Sequence, residues 1–241
     1  MSSHRFVSHG SSLLRTTTAL AIMLLAAPLA SAQAPQLQQS LAEIKQAAAA
    51  NKQSLSHYTW LEQQTILVKG EVKKEELYQV HLGLDGKPQR VLTATTPSSP
   101  PPIGPIRRMI ARNMTAEYEQ YGKQVAALAE SYAQPDPQRL QQAYQRGHVT
   151  YGSTGLPGAV RLTISSYIKP NDSVVIVFNR AQKAILSLHI SSYLSDPSDA
   201  VEISAQFSKL PDGTTHVSVM TVNGISKQLT VDVQTSDYTR L

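Results

Sequence analysis

Two hydrophobic periods divide the chain into helical and strand segments. Between positions 35 and 56 an apolar residue recurs every three or four positions, which predicts an amphipathic helix. From Tyr58 the period is two, and the apolar positions on one strand face are Tyr58, Trp60, Ile66 and Val68. Strand patterns continue over 72–82 and 89–94, with Asp85-Gly86 as the turn signal between them. This region therefore predicts a helix followed by a three-stranded antiparallel meander.

A proline-rich segment ends this meander. Pro97 and the prolines at 100–102 lack the N–H group that a sheet ladder needs, and they favour an extended connection. After Pro105, which suits a first helical turn, apolar residues step by three or four positions as far as Tyr132. A second, short helix is predicted to start after Asp136 and to end near Gly147. Residues 95–147 thus predict a proline hinge and a two-helix cover inserted between strands.

Strand patterns return after His148. The six segments are 160–164, 174–178, 185–193, 201–207, 216–222 and 225–233, with Asn223-Gly224 as the strongest hairpin signal. Their connections are too short for parallel crossovers. The predicted fold is α+β: one domain, residues 33–241, with a large curved antiparallel sheet of about eight or nine strands that is half-barrel-like. The N-terminal helix and the two-helix insertion cover one face of this sheet, because a sheet of that size curls and buries its apolar side.

The first 32 residues have the pattern of a secretory signal peptide. Arg5 and Arg15 precede an apolar core, and Ala30-Ser31-Ala32 is a small-residue cleavage site before Gln33. The chain is therefore predicted to be periplasmic or secreted, without a transmembrane segment after cleavage. The absence of cysteine excludes disulfides, thiolate chemistry and an acyl anchor on cysteine. The formal charge falls from +5 to +3, because the signal contains two arginines and no acidic residue, and these scattered charges do not indicate a nucleic-acid partner.

Three stretches resemble an uncharacterised family of bacterial exported proteins: "HYTWLEQQTILVKGEVKKEELYQVHLGLDGKPQRV", "PDPQRLQQAY" and "SSYLSDPSDAVEISAQFSKLPDGTTH". That resemblance implies no activity. The order of helix, meander, helical insertion and returning strands is also similar to periplasmic lipoprotein carriers, which are half-barrels with helices over an apolar cavity. This second resemblance concerns architecture only and implies no residue role.

The motifs that could support catalysis are interpreted as structural. Ser166 and Lys169 fit S-x-x-K, but the pattern places them three apart on a strand, on opposite faces. The carboxylate pair Glu75-Glu76 is interpreted as solvated, and His189 as a structural histidine. Neither zinc nor iron spacing occurs among the histidines. We therefore predict no catalytic residue, no metal ligand and no cofactor, although a site assembled from residues distant in sequence stays open.

The long predicted helix contains the candidate binding residues. Its adaptable apolar side chains are candidates for ligand contact: Met109, Ile110, Met114, Tyr118 and Tyr121. Ordinary packing of helix on sheet is the alternative for this stripe. A basic cluster near the helix N-terminus, Arg107, Arg108 and Arg112, is a candidate contact for an anionic headgroup, with a solvated face as its alternative.

Three functions remain open from the sequence. The first is a non-enzymatic binding or carrier protein for an apolar ligand such as a lipid or acyl chain. The second is an interaction module of the cell envelope that binds a protein or peptide through an exposed sheet edge. The third is a hydrolase whose site is not local in sequence.

The signal-peptide pattern gives a direct prediction. We expect the exported protein to begin at Gln33 and to be recovered from the periplasm without detergent, because the apolar run is too short to hold the chain in a bilayer. N-terminal sequencing of the periplasmic fraction measures this. Recovery of chains that begin at Met1, or only in detergent extracts, would contradict it.

Overall fold

The protein is represented by a computed structural model that describes residues 29–97, 105–133 and 137–241, without the side chains of 29–34, 36, 97, 105–115 and 137. Its helices are α1 (Leu29–Leu55), α2 (Pro105–Ala133) and α3 (Pro137–Gln145). Its first strands are β1 (Tyr58–Val68), β2 (Glu71–Leu82) and β3 (Pro88–Pro97). The strands after the helices are β4 (Val149–Ser153), β5 (Ala159–Ser165), β6 (Ser173–Asn179), β7 (Ala184–Tyr193), β8 (Ala200–Lys209), β9 (Thr215–Gly224) and β10 (Leu229–Arg240).

All ten strands form one open antiparallel sheet in the order β3-β2-β1-β10-β9-β8-β7-β6-β5-β4. The α+β class, the N-terminal helix and the two-helix insertion after the third strand are therefore confirmed. The strand count was too low by at least one, because β4 has five residues and includes Gly152, so it lacks a clear alternating pattern. The last strand, β10, pairs with β1 and thereby joins the meander to the six strands that follow the helices.

The bounds of α1 and β10 differ most from prediction. α1 begins at Leu29 and contains Pro35 in its interior, since the alanine-rich residues before this proline are good helix formers. The predicted cleavage bond between Ala32 and Gln33 lies in this part of α1, while most of the predicted signal lies outside the described residues. The last strand starts at Leu229 rather than at 225, because residues 225–228 form the turn.

The insertion has to cross the whole sheet. Neighbouring strands are antiparallel, so β3 ends and β4 begins at the same end of the sheet, which we call the upper end, but at opposite edges. Nine strand spacings of about 4.8 Å span about 43 Å. The 29 residues of α2 span about 43 Å as a helix. α2 is therefore long enough to bridge the two edges.

Both long helices pack on the same face of the sheet, called here the helix-covered face. Buried apolar side chains of α1, α2 and the strands β4–β10 form one core cluster on this face. The α2 members are Tyr121, Val125, Leu128 and Tyr132, and their buried strand partners include Leu162, Phe178, Ile190, Val201 and Val222. Within the described residues, the second half of α2 is thus packed directly on the sheet.

Two tyrosines attach α2 to loops at the upper end. The Tyr121 hydroxyl donates to Oδ1 of Asp199 at 3.0 Å, in the β7–β8 loop, and contacts Ser226 of the β9–β10 turn at 3.1 Å. The Tyr132 hydroxyl donates to Oδ2 of Asp172 at 2.6 Å, in the β5–β6 loop. Because these tyrosines are eleven residues apart, about three turns, they lie on one helix face. Burial is the largest cause that raises the pKa of each hydroxyl, so both remain donors.

The Asn223-Gly224 pair is not the hairpin turn that its sequence indicates. Both residues end β9, and Gly224 pairs with Leu229 across the ladder. A Cβ atom on Gly224 would lie 2.5 Å from Cε1 of the Tyr121 ring. Glycine is required here because α2 approaches the strand closely, and not because a turn needs a left-handed backbone.

This close approach predicts the effect of a methyl group. We expect Gly224→Ala to lower the free energy of unfolding by about 1–3 kcal/mol, because the methyl group would overlap the Tyr121 ring. Gly152→Ala is the matched control, since nothing lies within 4 Å of its added Cβ atom. Its effect should stay within about 0.5 kcal/mol. Urea unfolding of both variants measures the difference, and equal stabilities would contradict the packing of α2 on β9.

Candidate functional site

The helix-covered face changes from apolar to polar at β1. Along this strand the apolar alternation of Trp60 and Ile66 is interrupted by Glu62 and Gln64, whose side chains lie on the same face. In the ladder between β1 and β2, Glu62 is opposite Tyr78, and Gln64 is opposite Glu76. The polar positions therefore continue onto the next strand, so they form a patch and not an isolated polar position.

Glu62 is a buried carboxylate, only 4% exposed, and it is fully paired. Nε of Arg90, on β3, donates to its Oε1 atom at 2.6 Å, and Nη2 of the same guanidinium donates to Oε2 at 3.2 Å. The Gln64 amide adds a hydrogen bond to Oε1 at 2.7 Å. A buried carboxylate needs such pairing to offset its lost hydration, and the two-point contact also fixes the orientation of the guanidinium.

Glu76 has an equivalent arrangement on β2. It is 9% exposed, and Nζ of Lys74 lies 2.5 Å from its Oε1 atom. The Tyr78 hydroxyl also hydrogen-bonds to Glu76; burial, followed by this hydrogen bond, raises the pKa of Tyr78 to about 12. Tyr78 thus stays protonated. The six residues Glu62, Gln64, Lys74, Glu76, Tyr78 and Arg90 are called the charge cluster.

In the charge cluster the carboxylates are buried and the basic groups are exposed to solvent. The side chains of Glu62 and Glu76 are 6% and 10% exposed, whereas those of Arg90 and Lys74 are 39% and 47% exposed. The cluster contains equal numbers of carboxylates and cations. Because the carboxylates are covered and the cations are not, the part that a dissolved molecule meets is cationic.

Apolar surface adjoins the charge cluster. Leu92 of β3 is 49% exposed, and it lies opposite Tyr78 in the ladder. In the adjacent cross-strand row, Trp60 is opposite Val80, which in turn is opposite Arg90. We call the charge cluster together with Trp60, Val80 and Leu92 the β1–β3 platform. It combines paired charges, an aromatic ring and an exposed aliphatic side chain on one sheet surface.

An aromatic cluster supports the lower end of the platform. The Trp60 ring stacks on Tyr238 with ring centroids 5.5 Å apart, and Tyr238 also packs against His216 at 4.3 Å. Burial is the main cause that raises the pKa of Tyr238 to about 12. The neighbouring Tyr58 hydroxyl donates to Asp212 at 2.6 Å, and this bond lowers the pKa of Asp212 to about 2. These contacts hold the only tryptophan of the chain in a fixed position.

The structure describes the side chains of only two of the residues predicted to contact a ligand. Tyr121 is 3% exposed and hydrogen-bonded to Asp199, and Tyr118 is half-buried. The other predicted residues are on α2, but their side chains lie outside the described residues: Met109, Ile110, Met114, Arg107, Arg108 and Arg112. The burial of Tyr121 follows from helix-on-sheet packing, and ligand contact by this set of residues stays a prediction.

The S-x-x-K residues are not on a strand, and that part of the interpretation was wrong. β5 ends at Ser165, and Ser166 has a left-handed backbone with φ of 51°. The Ser166 hydroxyl accepts from the Asn171 N–H at 3.1 Å, whereas Nζ of Lys169 donates to the carbonyl of Tyr193 at 2.6 Å. These two side chains therefore have separate partners in the β5–β6 loop.

Asp172 organises this loop. Its carboxylate is 1% exposed and accepts from the backbone N–H groups of Tyr167, Ile168 and Lys169 at 2.5, 2.8 and 2.8 Å. It also accepts from Tyr132, whose hydroxyl lies 2.8 Å from the Ser192 hydroxyl. The buried carboxyl group is therefore fully hydrogen-bonded by fixed donors and closes the loop onto α2, so the arrangement is structural.

The sequence interpretation missed the charge cluster. Glu75-Glu76 was interpreted as solvated, and this is correct for Glu75 but wrong for Glu76, which points to the helix-covered face. The available signal was the gap in apolar alternation between Trp60 and Ile66.

His189 is exposed on the opposite face and lies 3.3 Å from the Ser191 hydroxyl. Within the part of the chain that the structure describes, His, Asp and Glu residues form no group of three that could hold a metal ion.

A second surface feature is an open cleft of 710 Å³ between α1, β4, β5 and the β6–β7 loop. Its charged residues are Glu43 and Arg180, which pair through two hydrogen bonds of 2.9 and 3.0 Å. The hydrogen bond from Arg180 is the main cause that lowers the pKa of Glu43. This ion pair ties α1 to the β6–β7 loop, and neither group has a buried, unpaired polar atom.

None of the described helices is both long and apolar enough to cross a membrane. Neither the models of known protein families nor the curated proteins give a match to this chain. A comparison with solved structures finds a DUF1329 family protein from Desulfovibrio piger ATCC 29098, at 10% sequence identity and a TM-score of 0.36. The alignment covers 83% of this chain and 92% of that chain. This distant likeness does not assign the chain to a family.

Proposed function

We propose that the protein is an exported, non-enzymatic binding protein that carries an apolar ligand such as a lipid or acyl chain. The observation that supports this proposal most is the β1–β3 platform. An exposed leucine and an immobilised tryptophan lie there beside charges that are already paired, so the surface can accept an apolar chain without leaving a buried charge alone.

The packing of α2 favours this location for the ligand. In residues 116–133 of α2, whose side chains are described, Tyr121, Val125, Leu128 and Tyr132 fill the space between helix and sheet. The platform strands, by contrast, leave Leu92 about half exposed. The proposed carrier therefore binds its ligand over β1–β3, and the similarity in element order to lipoprotein carriers serves only as an analogy.

A second candidate function is an envelope interaction module, and the exposure of β3 favours it. β3 is an edge strand whose residues 88–96 are all exposed, with Val91 at 60%. Edge strands of this kind can add a strand from a protein or peptide through main-chain hydrogen bonds. A bulge between Leu92 and Ala94 interrupts the regular ladder on this strand and makes such pairing less regular.

Binding of an acyl chain can be followed at Trp60. We expect dodecanoate, added below its micelle-forming concentration to delipidated protein, to change Trp60 emission and to saturate. Leu92→Asp should weaken this binding at least about tenfold, because a charge would replace the apolar contact on the platform. Val91→Asp is the matched control, since Val91 is exposed on the opposite face of the same strand and should leave binding unchanged.

Two outcomes would contradict the carrier proposal. A Trp60 emission that does not respond to dodecanoate would favour the edge-strand function instead. Equal losses of binding in Leu92→Asp and Val91→Asp, with both variants folded by circular dichroism, would show that the ligand is not on the platform face.

The non-enzymatic proposal is tested on the S-x-x-K residues. We expect no hydrolysis of 4-nitrophenyl butyrate above background, because the Ser166 hydroxyl and the Lys169 ammonium have different partners. Any residual hydrolysis should be unchanged in Ser166→Ala and Lys169→Gln. Loss of hydrolysis in both folded variants would identify a serine-lysine hydrolase and would contradict the proposal.

A further inference from the structure

We propose that the charge cluster is the subsite for the anionic headgroup of an amphiphile, with Arg90 as the direct contact to a carboxylate or phosphate. This inference rests on the proposed carrier function and names the chemistry of its ligand. It places the headgroup on β3, whereas the sequence indicated Arg107, Arg108 and Arg112 of α2.

The guanidinium of Arg90 has donors left for a ligand. Arginine carries five N–H groups in a planar fork. Glu62 takes one from Nε and one from Nη2, and among the described residues Nη1 contacts no acceptor. The two-point contact to Glu62 holds the plane of the fork, so little side-chain freedom is lost when an oxyanion binds to the free edge.

The arrangement of charge selects an anion over a cation. Both carboxylates are covered by the groups that pair with them, and the two cations form the exposed side of the charge cluster. An approaching anion meets Arg90 and Lys74 first. A cationic ligand would have to displace one of them from its carboxylate, which would leave that cation without its partner.

Apolar surface for the ligand chain lies beside the proposed headgroup subsite. Leu92 is two residues from Arg90 on the same face of β3, about 7 Å along the strand, and it lies opposite Tyr78. Trp60 is in the same cross-strand row as Arg90, with Val80 between them. A headgroup at Arg90 therefore leaves the chain within reach of Leu92 and Tyr78, and Trp60 lies near enough to report its binding.

The test compares four twelve-carbon amphiphiles that differ in their headgroup: dodecanoate, dodecyl phosphate, dodecanol and dodecyltrimethylammonium. Trp60 emission and calorimetry measure each affinity, below micelle-forming concentrations. We expect dodecanoate and dodecyl phosphate to bind about tenfold or more tightly than dodecanol, and the cation to bind more weakly still. The preference should decrease as salt concentration increases.

Removal of the guanidinium should remove this preference alone. Arg90→Gln is expected to lose the tenfold preference and to bind dodecanoate and dodecanol with equal affinity. Because Arg90→Gln leaves Glu62 buried without a cation and could prevent folding, the double variant Arg90→Gln with Glu62→Gln, which has no charge at either position, is measured as well. Arg161→Gln is the control, since Arg161 is exposed on β5 between two residues of the core face.

The outcomes separate this inference from the function on which it rests. If the folded double variant keeps the anion preference, or if wild-type protein binds dodecanol as tightly as dodecanoate, the headgroup subsite is rejected while the carrier function stands. If none of the four amphiphiles binds, the carrier function itself is rejected. Inorganic phosphate and acetate are tested as competitors. If they compete as strongly as the twelve-carbon anions, the proposal of an amphiphile ligand is rejected in favour of a site for free anions.

Discussion

The connection between β3 and β4 is the constraint on which the rest of the structure depends. These strands follow one another in the chain but occupy opposite edges of the sheet, and both meet the connection at the upper end. A segment that joins them has to cross all of the intervening strands, and a helix of 29 residues matches that distance. The proline-rich segment before α2 therefore ends the meander and starts the crossing.

A helix that crosses a sheet along its upper end needs attachment to several loops. Tyr121 and Tyr132 supply it, since each buries its ring in the core and donates its hydroxyl to a carboxylate in a loop. Hydrogen bonds to charged groups contribute about 1.5–3 kcal/mol each, more than bonds between neutral groups. Asp172 adds three backbone contacts to this attachment, so the β5–β6 loop and α2 hold each other in place.

This packing leaves the two parts of the helix-covered face with different roles. Over β4–β10, α1 and residues 116–133 of α2 complete an apolar core. Over β1–β3 the face carries paired charges and exposed apolar surface. A single face thus contains both the region that stabilises the fold and the platform that we propose for ligand binding.

Most elements could be predicted from the sequence, because helical and strand periods depend on which side chains face a core. α2 and α3 were predicted closely, as were the first three strands. The sequence could not show that Gly224 accommodates the Tyr121 ring, because that need arises from a contact between residues about one hundred positions apart. It also could not show that the chain leaves the strand as early as Ser166, because this depends on the buried carboxylate of Asp172, which accepts from the backbone N–H groups of residues 167–169.

The charge cluster was hidden for a similar reason. Glu62, Glu76 and Arg90 come from three different strands, and each is a charged residue of the kind that usually occupies an exposed strand position. Only the register of β1 with β2 and of β2 with β3 brings them to one face. The interrupted alternation at Glu62 and Gln64 was a visible signal, but a gap in a pattern does not identify the partners that fill it.

The most direct test of the account is the position of a bound chain. A crystal structure with 12-bromododecanoate would give an anomalous bromine peak and density for the carboxylate. The account predicts the carboxylate within hydrogen-bond distance of Arg90 and the bromine over the β1–β3 face, on the side of Leu92 and Tyr78. A bromine peak between α2 and the strands β4–β10, beside Val125 or Leu128, would contradict it.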